Sequence, residues 1–174
     1  KGHACPVLYA VLALRGYFPV EELATLRKMG TRLQGHPVAG VLPGVEVTTG
    51  SLGIGACQAV GIALEGRMLG KEYQIWALLG DGELNEGSIW EAAATAAKYK
   101  LGNLIFIVDQ NGLQSDGPCE SIMPMEPVDE KFKAFNWKVL KMDGHDLKDI
   151  VATLRAAREF RDGPVCIIAR TIKG

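Results

Sequence analysis

Asp81 and Asn111 are the residues of this chain whose types and spacing best suit joint chemistry. Asp81 stands in "IWALLGDGELNEGSIWEA" (75–92), where an apolar run breaks on Gly-Asp-Gly, and Asn111 in "LIFIVDQNGLQSDG" (104–117), where a second apolar run ends in a second glycine-containing turn. A carboxylate, a side-chain amide and a backbone carbonyl such as that of Leu113 are all hard oxygen ligands, and three of them leave an octahedral Mg²⁺ open to phosphate oxygens and a water. Gly82 has no Cβ, so its backbone can approach a phosphate closely. The start of a helix expected from residue 86 adds free N–H groups facing the same crevice. Together these features suit a metal-bridged diphosphate. Taken alone, Gly-Asp-Gly is most often a surface turn with a helix cap, so the surrounding elements have to decide.

Those elements alternate. Residues 4–15 ("ACPVLYAVLALR") and 20–29, behind Pro19, carry helix-like patterns, and 30–51 reads as an ordered Gly- and Pro-rich loop containing "VEVTTGS". From residue 53 a helix ("GIGACQAVGIALEGRML") leads to a strand at 74–79, a small-residue helix at 86–100 and a strand at 104–108. "WKVLK" reads as a third strand, and a helix at 147–161 leads to a last strand, "PVCIIA". This alternation predicts an α/β, doubly wound, mostly parallel sheet flanked by helices, built as one domain over 1–174. Ligands of open parallel sheets collect beyond the carboxyl ends of the strands. Asp81 and Asn111 each lie just past such an end, and the intervening helix returns the chain so that both turns face one edge.

Composition excludes several classes of function. The 174 residues suffice for an ordinary core, burying roughly 70% of the unfolded surface. Net charge is -1 with acids and bases interspersed, so no basic stripe supports nucleic-acid binding. No apolar stretch reaches the ~18 residues of a membrane span. Cys5, Cys57, Cys119 and Cys166 are scattered without a C-x-x-C pair, which suits reduced thiols and the cytoplasm better than a disulfide frame or a zinc site. Asp81, Glu83 and Asn85 alternate like calcium-loop ligands, but Glu86 and Ala92 occupy the places of the glycine and bidentate glutamate such a loop needs. "GSLGIG" (50–55) has the wrong glycine spacing for a nicotinamide site. Lys1 stands where an initiator methionine would, so the true N-terminus is expected upstream.

The segment "GDGELNEGSIWEAAATAAKYKLGNLIFIVDQNGLQSDG" (80–117) resembles the thiamine diphosphate motif, GDG followed at a distance by an Asn-containing turn, and its best match is transketolase. "KGHACPVLYAVLALRGY", "GHPVAGVLPGVEVTTGSLGIG" and "DGHD" resemble transketolase segments in the same order, so the likeness covers nearly the whole chain. Gln110 departs from the second Asn often found there, at a position that varies within the family. The resemblance implies Asp81, Asn111 and the Leu113 carbonyl as ligands of Mg²⁺, with Ca²⁺ or Mn²⁺ as substitutes, and Gly82 and Asn111 against the diphosphate. It implies His3 at cofactor and substrate, and Gly50, Ser51 and Leu52 against the aminopyrimidine. His36 is implied at the sugar hydroxyls, where an imidazole can move protons near neutral pH. His145 reads as part of a turn before the last helix and is given no chemistry. Glu86 and Glu91 match acids found at the family's subunit interface.

The implied reaction moves a two-carbon ketol unit from a ketose to an aldose, with sugars or sugar phosphates as substrates. In this family the glutamate that activates the cofactor belongs to a separate pyrimidine-binding domain. The chain therefore resembles either the N-terminal, diphosphate-binding subunit of a split transketolase or the same domain of a longer chain; for the split form the expected partner is a C-terminal, pyrimidine-domain transketolase subunit, with self-association into a heterotetramer. A 2-oxo acid dehydrogenase alpha-type or deoxyxylulose phosphate synthase-type subunit shares the metal motif, although "KGHA", "GHP" and "GVEVTTGSLG" favour transketolase. A non-catalytic thiamine diphosphate-binding module is the third reading.

Overall fold

Residues 1–173 are described by a computed structural model, in which the chain divides into two compact units, Lys1–Gly55 and Ala56–Gly174. In the first unit, helix α1 (Cys5–Leu14) carries a proline in its first turn, where the missing N–H has no intrahelical partner to lose. Its buried residues Cys5, Tyr9, Leu12 and Ala13 follow helical spacing and pack on Phe18, Leu33, Leu42 and Val45. The opposite stripe, Val7, Val11 and Leu14, is exposed. The helix expected at 20–29 is shorter and tighter, a 3₁₀ segment over Val20–Thr25. There the Thr25 hydroxyl donates back to the Glu22 carbonyl at 2.8 Å, and Arg27 takes a φ of 60°, which turns the chain before an α-helix can propagate. The loop at 30–51 is ordered as expected: Thr49 N donates to Pro37 O at 3.2 Å and Ala39 N to Thr48 Oγ1 at 3.0 Å.

The two ends of this unit meet with no room for a side chain. A Cβ on Gly2 would lie 2.7 Å from Gly50 N and 2.9 Å from Thr49 C, both backbone atoms. Gly2→Ala is therefore expected to cost about 1–3 kcal/mol, as overpacking does, and to lower Tm by several degrees. Gly61→Ala, where nothing lies within 4 Å of the new methyl, should instead stabilise by roughly 0.5–1 kcal/mol. Thermal unfolding of the two variants beside wild type checks both signs. An unchanged Tm for Gly2→Ala would show that the approach is not tight.

The second unit is built on one sheet. Helix α2 (Ile54–Met68) starts at the end of the first unit and leads to β1 (Ile75–Gly80) and helix α3 (Gly87–Lys98). Strand β2 (Leu104–Gln110), short helices α4 (Cys119–Ile122) and α5 (Val128–Ala134), β3 (Lys138–Asp143), α6 (Leu147–Glu159) and β4 (Val165–Arg170) follow. Every pairing is parallel, in the order β1-β2-β4-β3. The α/β expectation of a parallel sheet flanked by helices is thereby met.

Side chains alternate across β2 as strand geometry requires. Leu104, Phe106 and Val108 join the α2, α3 and α5 residues Ala63, Ala93, Ala96 and Phe132, while Ile105 and Ile107 join Ala157, Ile150 and Leu154 of α6. Both faces are covered, which explains why β2 and β4 read as near-continuous apolar runs. Helices α4 and α5 are not expected from the sequence. Each begins behind a proline, Pro118 or Pro127, and Val128 and Phe132 supply a single i, i+4 repeat, too short for a periodic signal. Among the described residues no helix is long and apolar enough to cross a membrane.

Candidate functional site

Register brings the two glycine-containing turns together. Gly80 at the end of β1 pairs with Asp109 near the end of β2, so Asp81 and Asn111 leave adjacent parallel strands at one edge. The Asp81 side chain then joins the turns directly. It is 7% exposed; Oδ1 accepts from Gly82 N at 2.8 Å and Oδ2 from Gly112 N at 2.6 Å. One carboxylate thus caps at its own turn, as a Gly-Asp-Gly turn suggests, and also bonds the second turn, a link the sequence does not announce. The helix it caps is not α3 but a one-turn 3₁₀ segment, Gly82–Asn85; α3 follows with Glu86 at its N-cap and no side-chain cap.

The second turn is shaped by its own residues. Asn111 Oδ1 accepts from Leu113 N at 3.0 Å, and Gly112 has a φ of 74°, open to glycine at little cost. Cys119 N donates to Gly112 O at 2.9 Å and Gln114 N to Gly117 O at 2.8 Å, closing the loop on itself. Gln114 also reaches back to the first turn, donating to Asn85 Oδ1 at 2.8 Å. Sequence reasoning does not select Asn85 and Gln114 as a pair, because amides in glycine-containing turns read as generic turn formers and their partnership spans 29 positions. Glu83 is also drawn inward: 5% exposed, its carboxylate accepts from Gly80 N at 3.1 Å. Burial, with the Asp81 charge close by, pushes the Cys119 thiol up from its ordinary value, so it stays protonated beside the carboxylate.

The donor set can be tested against a divalent cation. Among the described residues no three of His, Cys, Asp and Glu group closely enough to hold a metal, so a cation here depends on amide and carbonyl oxygens as well as Asp81. Each Asp81 oxygen and the Asn111 oxygen accept an N–H bond, and the Cys119 thiol also bonds the Asp81 carboxylate; with about four lone-pair sites on a carboxylate and two on an amide oxygen, acceptor capacity remains on both side chains. Hard oxygens in this number suit Mg²⁺. At Gly82 a Cβ would lie 2.8 Å from Gln114 Cγ, so a side chain there would crowd the turn. The residues present fit the group.

A cavity of about 1000 Å³ opens beside this turn, at the carboxyl ends of β2, β4 and β3, with Asn111, Lys141, His145 and Arg170 on its walls. Lys141 is paired with Asp129 at 2.5 Å, and the ammonium holds the Asp129 carboxyl below its usual range. His145 sits in the turn before α6 as expected, its N–H bonded to Asp143 Oδ1 at 2.8 Å, and Asp146 caps the helix by accepting from Lys148 N. Its ring is engaged too, since Nε2 accepts from Ile172 N at 2.9 Å.

The remaining candidates lie in the first unit. The rings of His3 and His36 meet edge to face, centroids 4.8 Å apart and planes at 83°. His36 Cγ is 3.1 Å from where a Gly50 Cβ would stand, so the glycine makes room for the imidazole. His3, His36 and Gly50 therefore form one cluster, with both histidines exposed. Ser51 and Leu52 follow Gly50 and are exposed as well.

Comparison with known proteins gives a consistent result. Residues 1–174 match the family described as transketolase, thiamine diphosphate binding domain. The chain is 45% identical over 174 residues to the 6-deoxy-6-sulfo-D-fructose transketolase subunit SqwG of Clostridium sp. (strain MSTE9), covering 100% of this chain and 63% of that protein. It is 44% identical over 174 residues to an apulose-4-phosphate transketolase subunit of Actinobacillus succinogenes, with the same coverages, 100% and 63%. The chain thus spans less than two thirds of the length of either relative. Among solved structures, transketolase from Leishmania mexicana superposes with a TM-score of 0.94 at 33% identity, over 98% of this chain and 27% of that one.

Proposed function

Because the chain belongs to the transketolase thiamine diphosphate-binding domain family, we propose that residues 1–174 act as the diphosphate- and Mg²⁺-binding domain of a cytoplasmic transketolase that works with a pyrimidine-domain subunit. The observation that carries this reading is the Asp81 bridge, which holds the two turns of the thiamine diphosphate motif together at the carboxyl edge of the sheet. Asp81, Asn111 and the Leu113 carbonyl would hold the cation, and Gly82 and Asn111 the diphosphate. Gly50, Ser51 and Leu52 would lie against the aminopyrimidine. When bound, thiamine diphosphate supplies the carbon nucleophile that carries a two-carbon ketol unit from a ketose to an aldose. His36 would hold and move a proton at the sugar hydroxyls, as a positioned imidazole can near neutral pH, and His3 would orient cofactor and substrate together.

The partner is proposed as a C-terminal, pyrimidine-domain subunit, and the assembly as a heterotetramer acting on sugars or sugar phosphates. Two relatives named as transketolase subunits support that arrangement, as does the exposed apolar stripe of α1. The cysteines among the described residues are unpaired, which suits a reducing compartment.

Reconstitution tests the proposal. The full-length protein is assayed for ketol transfer by itself and after addition of a candidate pyrimidine-domain subunit, and thermal unfolding is followed with thiamine diphosphate and Mg²⁺. Cofactor and metal together are expected to stabilise by about 2.7 kcal/mol at a hundredfold excess over Kd. Transfer is expected only in the mixture. Turnover without the added partner would overturn the partner assignment, and a Tm indifferent to Mg²⁺ would overturn the metal assignment.

A further inference from the structure

Helix α1 follows one histidine of the first unit in sequence and is bonded to the backbone just ahead of the other. His3 lies in the 3₁₀ turn Gly2–Ala4 that leads into the helix. Cys5 and Tyr9 are four residues apart on one helical face, 3% and 1% exposed. Their polar atoms are aimed at the backbone just before His36. The Tyr9 hydroxyl donates to the Gln34 carbonyl at 3.0 Å and the Cys5 thiol to the Gly35 carbonyl at 3.0 Å. Burial pushes both groups up from their ordinary values, so both stay protonated and able to donate at neutral pH. Two successive carbonyls, those of the residues immediately before His36, are thereby tied to a helix whose N-terminal side carries His3. The histidine that follows is confined in turn, edge-on to His3 and against Gly50.

We propose that Tyr9 and Cys5 are positioning residues for His36, fixing the Gln34–Gly35 backbone so that the imidazole is presented at a set distance from His3. The packing need at position 9 is met by a phenyl ring; the hydroxyl is what reaches the loop. The cysteine adds a second, weaker donor one helical turn earlier, so the loop is held at two points and cannot pivot about one. This inference rests on the proposed acid-base role of His36 for its kinetic consequence, but not for its geometry.

The test therefore reads geometry and kinetics separately. In full-length protein with labelled histidine, the ring resonances of His36 are expected to shift and broaden in Tyr9→Phe, and more in Tyr9→Phe/Cys5→Ala, while those of His145 stay in place. Cys5→Ser keeps a donor and should retain the wild-type spectrum. In the assembled enzyme Tyr9→Phe is expected to lower kcat by about tenfold, the scale of one lost hydrogen bond, with Kd for thiamine diphosphate within about twofold of wild type. Added to His36→Ala, the same change should cost nothing more, because its effect runs through that ring. An unmoved His36 resonance in the double variant overturns the proposal, as does a full additive loss in the His36→Ala background. Should the resonance move while His36→Ala itself leaves kcat unchanged, the positioning stands and the acid-base reading of His36 falls.

Discussion

Asp81→Asn is expected to keep the fold and to lower Mg²⁺-dependent affinity for thiamine diphosphate by at least about a hundredfold, since even the groups that merely support a metal ligand are worth 10–100-fold. The substitution conserves shape and removes the charge. It also disturbs the turn. Asp81 accepts from Gly82 N at 2.8 Å and Gly112 N at 2.6 Å, whereas an amide offers one oxygen and one NH₂, so one of those donors loses its acceptor. Both donors are on residues that are half-buried or exposed, so losing one bond costs about 0.5–1.5 kcal/mol, and Tm should fall by a few degrees for each kcal/mol lost. Asp81→Ala leaves both donors without that acceptor and should be the less stable of the two. Calorimetric titration with thiamine diphosphate, in Mg²⁺ and then in a chelator, separates the effects. Equal binding by wild type and Asp81→Asn in Mg²⁺ would end the assignment of Asp81 as a metal ligand.

His36→Ala is expected to lower kcat/KM of the assembled enzyme by about 10²–10⁴, the usual worth of a positioned acid-base group, while leaving metal-dependent cofactor binding nearly unchanged. His36 is exposed, so little stability should be lost with it. What it meets is His3, edge to face at 4.8 Å. His3→Ala should behave differently, raising the cofactor Kd and lowering kcat together. Steady-state assays with a ketose donor and an aldose acceptor, beside cofactor titrations of each variant, distinguish the two histidines. A wild-type kcat/KM for His36→Ala would return that residue to a structural role.

Much of the architecture is legible because its signals are local. The apolar runs at 104–108 and 164–169 identify buried parallel strands, and the observed β2 and β4 extend only to Gln110 and Arg170. "GDG" and "QNG" mark the two turns, and the chemistry available there, one carboxylate with amide and carbonyl oxygens, is a matter of residue type alone. Periodicity, however, says nothing about which strand pairs with which. That β4, last in the chain, enters between β2 and β3 is a non-local pairing settled by how the helices cover both faces. The same limit applies to the 3₁₀ segment at Val20–Thr25, where a helix-like pattern yields to side-chain bonds and to Arg27 at positive φ.

At the candidate site the division falls between identity and orientation. Sequence by itself determined that Asp81 and Asn111 lie past two strand ends, and that His3, His36 and Gly50 belong to glycine-containing segments far apart along the chain. Only the tertiary structure decided that Asp81 turns one oxygen to each turn, that Glu83 folds inward to Gly80 N, and that Gln114 reaches Asn85. It likewise decided that Tyr9 and Cys5 grip the backbone ahead of His36. The physical reason is common to these cases: a polar group near such a turn, on the backbone or on a side chain, can be satisfied by more than one kind of partner. Which of them it takes depends on the loop closure that places partners separated by 25, 29 or 31 positions within hydrogen-bonding distance.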